Sequence, residues 1–152
     1  MQAETLRDVL DWTINFHREL SQCLSQGAKI GADERSGMLL DYLAQHENSL
    51  KKVVTRIEQE TSKNALDTWC YEYLEKYPVT RNQHCTVAFG DLNASQIVEV
   101  VMEYHHQVIE LYRFLHAKAP TDDTRELLDA LCQLEEHEAM SMAQGANRLE
   151  DM

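Results

Sequence analysis

Residues 39–47 read LLDYLAQHE and residues 127–135 read LLDALCQLE, so closely similar stretches occur twice in the chain. The two copies lie 88 residues apart and are identical at six of nine positions. The same ungapped offset places Phe16-His17 on Tyr104-His105. Because one offset relates two helical segments and the turn between them, we interpret the chain as a duplicated helical hairpin. The duplication predicts two related hairpins that face each other around an approximate two-fold axis.

Four long segments place apolar residues at spacings of three and four, which is the pattern of an amphipathic helix. These segments are residues 5–28, 34–60, 94–118 and 122–149. A further short helix is predicted over residues 65–77, before Pro78. Short turns join the first two and the last two long helices. The pattern therefore predicts an all-α, up-down four-helix bundle of two repeated hairpins, with a long crossover that contains a short extra helix.

Polar side chains mark the predicted starts of three helices. Asn93 and Gln96 are predicted to form a capping box, and Asp33 to cap the second helix. Either Thr121 or Asp122 is predicted to cap the fourth. The length of 152 residues suits one compact domain with a substantial core. We expect a single domain over residues 1–152, divided into a hairpin (1–60), a crossover (61–92) and a second hairpin (93–152).

The formal net charge is −12, which makes the protein strongly acidic. An acidic surface repels phosphate backbones and anionic lipids, so we expect neither nucleic acid nor membranes as partners. No apolar run reaches the roughly 18 residues that a membrane span needs, and the N-terminus lacks the pattern of a secretory signal. We therefore expect a cytoplasmic protein.

The chain has four cysteines, and none of them belongs to a C-x-x-C pair. This spacing excludes a zinc ribbon or a rubredoxin-type iron site. We expect these cysteines to be buried small residues or free thiols in a reducing compartment. They are Cys23, Cys70, Cys85 and Cys132.

Each long helix interrupts its apolar face with one ionisable residue, in chain order His17, Glu47, His105 and Glu135. Each histidine lies 14 residues before the centre of its hairpin turn, and each glutamate lies 16 residues after it. At about 1.5 Å of rise per residue, the four side chains are predicted to share one layer of the bundle. Burying four such groups is costly, and a bound cation would offset that cost. Imidazole and carboxylate ligands suit iron, manganese and zinc.

Two further donors lie within one turn of this layer. Glu138 follows Glu135 by three residues and therefore shares its helix face, and His46 precedes Glu47. We include both as added ligands of the predicted metal site. An alternative explains the layer without metal, as two buried His–Glu pairs that hydrogen-bond to each other.

These features resemble the ferritin-like superfamily, near its rubrerythrin-type bundles. The resemblance covers the four long helices, the long crossover and the inward-facing carboxylates and histidines at mid-bundle. It implies a di-iron site that reacts with oxygen or peroxide, or that stores or transports iron. Members of the superfamily use one glutamate from each of the first and third helices, and a Glu-x-x-His motif from each of the other two.

The chain departs from that ligand pattern at four positions. His17 and His105 stand where the single glutamates are expected, and Leu50 and Glu138 stand where the motif histidines are expected. The ligands of the superfamily therefore carry over directly to the glutamates of the second and fourth helices alone.

These observations predict a ferritin-like metal-binding protein with a non-haem iron site, expected to be di-iron, and with manganese or zinc as other occupants. If the protein is an enzyme, the resemblance implies an oxidase or peroxidase, and electrons would come from an external redox partner because C-x-x-C pairs are absent. The alternative is a metal-free helical interaction or regulatory module. An iron-storage cage is not favoured, since no fifth helix follows the fourth. The sequence leaves a homodimer open.

Overall fold

The computed structural model describes residues 5–31, 33–70 and 87–150, and these residues form an all-α bundle. A single helical turn at Lys63–Leu66 and a 3-10 turn at Phe89–Asp91 lie in the connection between the two hairpins. The helices are α1 (Leu6–Lys29), α2 (Glu34–Glu60), α3 (Lys63–Leu66), α4 (Ala94–Ala117) and α5 (Asp122–Glu150). The predicted four-helix bundle with a long crossover is confirmed, and the predicted ends of the long helices agree to within one residue.

Local side-chain hydrogen bonds explain where the long helices begin. Asn93 and Gln96 form the predicted capping box at the start of α4. The Asp33 side chain accepts a hydrogen bond from the Ser36 backbone N–H, which caps α2. The Thr121 hydroxyl accepts the backbone N–H of residue 124 at the start of α5. Each cap satisfies a backbone donor that has no partner inside its helix.

The two hairpin turns lie at opposite ends of the bundle. At what we term the first end, the Leu6 N–H donates to the Thr68 carbonyl (2.8 Å), and the hydroxyls of Thr68 and Thr124 hydrogen-bond (3.0 Å). The starts of α1 and α5 therefore lie together at the first end. The α1–α2 turn, with Gly31 at φ 81°, lies at the second end. This arrangement fixes the direction of every long helix relative to the site described below.

The apolar stripes of the four long helices meet in one buried core. Their leucine and valine side chains are almost completely inaccessible, and Phe89 of the 3-10 turn packs among them. Burial of this apolar surface is the main favourable contribution to folding. Within the described residues, no helix combines the length and the apolar character that crossing a lipid bilayer requires.

The predicted short helix over residues 65–77 differs from the observed one. The helix α3 starts two residues earlier, after its N-cap Ser62, and ends at Leu66. Residues 67–70 are not helical, because Trp69 instead forms an isolated bridge with Thr5 at the first end. Contacts with the start of α1 therefore override the local helical pattern. Residues 71–77 lie outside the described part of the chain.

The cysteines differ from the sequence-based expectation at one position. Cys23 is disulfide-bonded, so the expectation of a free thiol was wrong for this residue. Cys70 and Cys132 are buried free thiols, as expected. Burial raises the pKa of Cys70 to about 11 and also raises that of Cys132, which keeps both in the unreactive thiol form. Cys85 lies outside the described residues.

Candidate metal centre

The four ionisable residues of the predicted layer meet at the centre of the bundle. Each long helix contributes one of them, and all four are completely buried: His17, Glu47, His105 and Glu135. Their neighbours along each helix are apolar core residues, so the helical periodicity that builds the core also directs these side chains inward. The four side chains therefore lie together in one buried layer, as predicted from the sequence.

The four side chains form a closed ring of hydrogen bonds. His17 contacts Glu47 through Nδ1 (2.7 Å to Oε2) and Glu135 through Nε2 (2.6 Å to Oε1). His105 contacts Glu135 through Nδ1 (3.1 Å to Oε2) and Glu47 through Nε2 to Oε1. The two imidazole rings stack with their centroids 5.6 Å apart. Every ring nitrogen and every carboxylate oxygen of the four side chains thus has a partner within the ring.

This connectivity determines the protonation of the ring without metal. A carboxylate only accepts hydrogen bonds, so all four bonds form when both imidazoles carry both of their protons. Burial alone would lower the pKa of His17, but the carboxylates of Glu135 and Glu47 raise it to about 9. Burial would likewise lower the pKa of His105, but the carboxylates raise it to about 10, and Glu47 makes the largest contribution to this increase. Two imidazolium and two carboxylate groups give the ring no net charge.

The glutamates show the complementary effect. Burial alone would raise the pKa of Glu47, but His105 and His17 lower it to about 2. Burial also opposes ionisation of Glu135, and His17 together with His105 lowers its pKa. Charge-assisted hydrogen bonds thus offset the cost of burying four charges.

The donor set fits a first-row divalent or trivalent metal ion. One ligand atom from each of His17, Glu47 and His105 can be chosen so that all lie within 4.8 Å of one another. Zinc and similar ions hold nitrogen and oxygen ligands at roughly 2.0–2.2 Å, so ligand atoms around one ion are separated by up to about 4.4 Å. These three ligand atoms are therefore grouped closely enough to be candidate ligands of one ion. Such an ion would replace the protons that now join the imidazoles to the carboxylates.

The side of the ring that faces the first end is closed by buried residues. Thr13, one turn before His17, and Tyr112, two turns after His105, are both completely inaccessible. The Thr13 hydroxyl donates to the Val9 carbonyl (3.0 Å). Burial, followed by the charge of Glu135, raises the pKa of Tyr112 well above its ordinary value, so the phenol stays neutral.

Thr13 and Tyr112 were not predicted from the sequence to border the site, although the repeat contains a signal for both. The 88-residue offset pairs Thr13 with Val101 and Tyr112 with Leu24. At both positions, one copy of the hairpin has a polar group where the other has an apolar side chain.

The two added donors of the sequence analysis form a separate pair. His46 Nδ1 lies 3.2 Å from Glu138 Oε2, and their side chains retain 28% and 25% of their accessible surface. Tyr42 packs on the His46 ring with a centroid distance of 4.5 Å. The structure therefore brings these two residues together beside the ring, and their hydrogen bond is to each other and not to the four buried side chains.

Comparison with known proteins supports the fold. No protein-family model matches the chain, and no curated protein matches it. One matching solved structure is a 2.30 Å crystal structure from Thermotoga maritima, of a protein provisionally named a ferritin-like diiron-carboxylate protein. The TM-score is 0.66 over 97% of each chain, at 11% sequence identity, so the likeness concerns the fold alone. The chain is a helical bundle with the ferritin-like fold.

Proposed function

We propose that the protein binds metal in the ring of His17, Glu47, His105 and Glu135, and that non-haem iron is its occupant. The closed, fully buried ring of two imidazoles and two carboxylates is the observation that carries this proposal. Imidazole and carboxylate are the ligands that iron, manganese and zinc share in proteins. Iron is favoured over the other two because the structural relative is named a diiron-carboxylate protein.

The connectivity of the ring supports a metal site built from both hairpins. Each glutamate directs one oxygen to His17 and the other to His105. The two imidazoles and two carboxylates would be the residues that hold the metal. Such a centre supplies redox chemistry toward oxygen or peroxide, which makes oxidase, peroxidase or iron-handling activity the proposed role. The chain itself would hold the metal, exclude bulk water and keep both carboxylates ionised.

Metal analysis with matched variants tests this proposal. After iron-loaded expression and desalting, we expect the wild type to retain one to two irons per chain. The Glu47→Gln/Glu135→Gln variant should retain almost none. The control, Glu110→Gln/Glu136→Gln, changes two exposed carboxylates that contact Arg113 and should bind as the wild type does. Equal, substoichiometric iron in all three proteins would sink the proposal.

A second candidate is a metal-free helical module for interaction or regulation. It is favoured by one observation, namely that the ring is electrically neutral and leaves none of its own nitrogen or oxygen atoms without a partner. Buried polar networks of this kind can specify how helices dock, at a cost in stability. The two candidates differ in thermal melting with added metal. A rise of several degrees with Fe(II), Mn(II) or Zn(II), lost in Glu47→Gln/Glu135→Gln, would exclude the metal-free candidate.

We further propose that the two hairpins are copies of one ancestral unit and act as one domain. In support, His17 and Glu47 are separated by the same 30 residues as His105 and Glu135, and both pairs hydrogen-bond through Nδ1. Because the other two bonds of the ring cross between the hairpins, neither hairpin completes the site alone.

A further inference from the structure

The ring is completely buried, so an ion must pass between helices to reach it. We propose that His46 and Glu138 form a loading site, which captures a divalent cation from solvent and transfers it to the ring. This inference rests on the proposed function, since it concerns how the same centre acquires its metal. It assigns to His46 and Glu138 a transient role that differs from that of permanent ligands.

The two residues have the right exposure for this role. The ring side chains are 0–1% exposed, whereas His46 and Glu138 are about one quarter exposed and hydrogen-bond to each other at 3.2 Å. An imidazole and a carboxylate at this distance can share one cation. Solvent therefore reaches this pair but does not reach the ring.

The position of the pair also connects it to the ring. His46 directly precedes Glu47 on α2, and Glu138 follows Glu135 by one helical turn on α5. Both lie toward the second end, and they belong to the two helices that supply the ring carboxylates. One turn corresponds to a rise of about 5.4 Å, so a short movement would bring a cation from the pair to a ring carboxylate.

The residues that border the first-end side of the ring do not form a partly exposed His–carboxylate pair. Thr13 and Tyr112 close the first-end side and are fully buried, and a neutral phenol and a hydroxyl are weak ligands for a divalent cation. A cation is therefore expected to approach from the second end.

The small number of donors suits transfer better than storage. Conduction through a series of sites requires that each site binds strongly enough to admit the ion and weakly enough to release it. His46 and Glu138 offer two donors and leave the remaining positions to water. The ring offers four side chains that are shielded from water, so it holds the ion more strongly.

Neighbouring residues hold the pair in place. The Tyr42 ring packs on His46, and the Tyr42 hydroxyl donates to the Ser141 carbonyl (3.2 Å). Gly145 makes room for this phenol, since a Cβ there would lie 1.9 Å from the Tyr42 oxygen. The orientation of His46 is thus set by packing on both α2 and α5.

Stopped-flow loading of the metal-free protein with Co(II), followed by the visible absorption of the bound ion, tests the proposal. We expect His46→Ala/Glu138→Ala to load at least about tenfold more slowly, since a charged cleft raises on-rates by this order. The final amount of Co(II) per chain should match that of the wild type. The conservative variant His46→Gln/Glu138→Gln, which keeps side-chain volume, should show the same slowing if the donors matter and packing does not.

A control variant separates this effect from general surface charge. His116 and Asp129 line a different surface cavity, between α4 and α5, so His116→Ala/Asp129→Ala should load at the wild-type rate. Unchanged loading in the His46/Glu138 variants overturns the proposal. A reduced final stoichiometry also overturns it, because the pair would then be permanent ligands. A wild type that binds no Co(II), Fe(II) or Zn(II) at all instead overturns the proposed function, and this inference with it.

Discussion

Replacing Glu47 with glutamine tests whether the ring is a network of charges. Glu47 accepts hydrogen bonds from His17 Nδ1 and His105 Nε2. Glutamine has nearly the same shape, but its amide offers one acceptor and one donor group. One histidine would therefore face an N–H group instead of an oxygen, and one positive charge would lose its partner in a site that water does not reach.

The expected loss of stability follows from these contacts. Removing one partner of a buried ion pair typically costs about 3–5 kcal/mol, because the remaining charge is left uncompensated. One histidine can lose its proton to relieve part of this cost, so the lower half of that range is expected for the metal-free protein at neutral pH. For a chain of this size, each kcal/mol lowers the melting temperature by about 2–4 °C, which gives a decrease of roughly 10 °C.

Urea unfolding of the metal-free protein, followed by circular dichroism, measures this loss. The matched control is Glu136→Gln, because Glu136 is half-exposed and contacts Arg113 at 2.5 Å on the surface. Exposed ion pairs contribute about 0–1 kcal/mol, so the control should stay close to the wild type. If Glu47→Gln lost no more stability than Glu136→Gln, the ring could not be the charged network described above.

Three further predictions follow from the site. Raising the pH should destabilise the metal-free protein, because the pKa values of His17 and His105 lie near 9 and 10 in the folded state and near 6.5 in the unfolded state. Their contribution to the free energy of unfolding is complete below pH 6.5 and disappears as the pH rises through 9–10. Melting temperatures measured across that pH range would reveal the loss. Metal binding should become tighter with rising pH and release protons into a weakly buffered solution, since an ion displaces protons from both imidazoles; pH-independent affinity would contradict this. Gly145→Ala should destabilise the protein by about 1–3 kcal/mol through overpacking against Tyr42, and Tyr42→Phe/Gly145→Ala should recover part of the loss in the same unfolding assay.

The long helices could be predicted from the sequence because their apolar residues follow the helical period. Spacings of three and four residues direct the apolar stripe, and capping residues such as Asn93 mark the helix starts. The same spacing placed His17 and Glu47 on the inner face, so their meeting in one layer was predictable. These features are local, and each is determined by a few neighbouring residues.

Other features depend on contacts between distant parts of the chain. Trp69 forms a bridge with Thr5 instead of continuing the predicted helix. No local pattern in residues 65–77 reveals this contact. The hydrogen bond between His46 and Glu138 could not be predicted from the sequence, because it depends on the packing of Tyr42 on the His46 ring and on the course of α5. The number of hydrogen bonds in the ring could not be predicted from the sequence either, because it depends on side-chain rotamers that packing across both hairpins selects.

The ring also sets the alignment of the two hairpins. Each hairpin brings one imidazole and one carboxylate, and each carboxylate divides its two oxygens between its own hairpin and the other. A slip of one helical turn between the hairpins would separate both inter-hairpin bonds and leave charges facing leucine side chains. Leucine can slide past leucine at modest cost, but these four groups tolerate only one register. The centre of the bundle therefore fixes the register between two apolar hairpin faces that could otherwise pack in several alignments, whether or not a metal is bound.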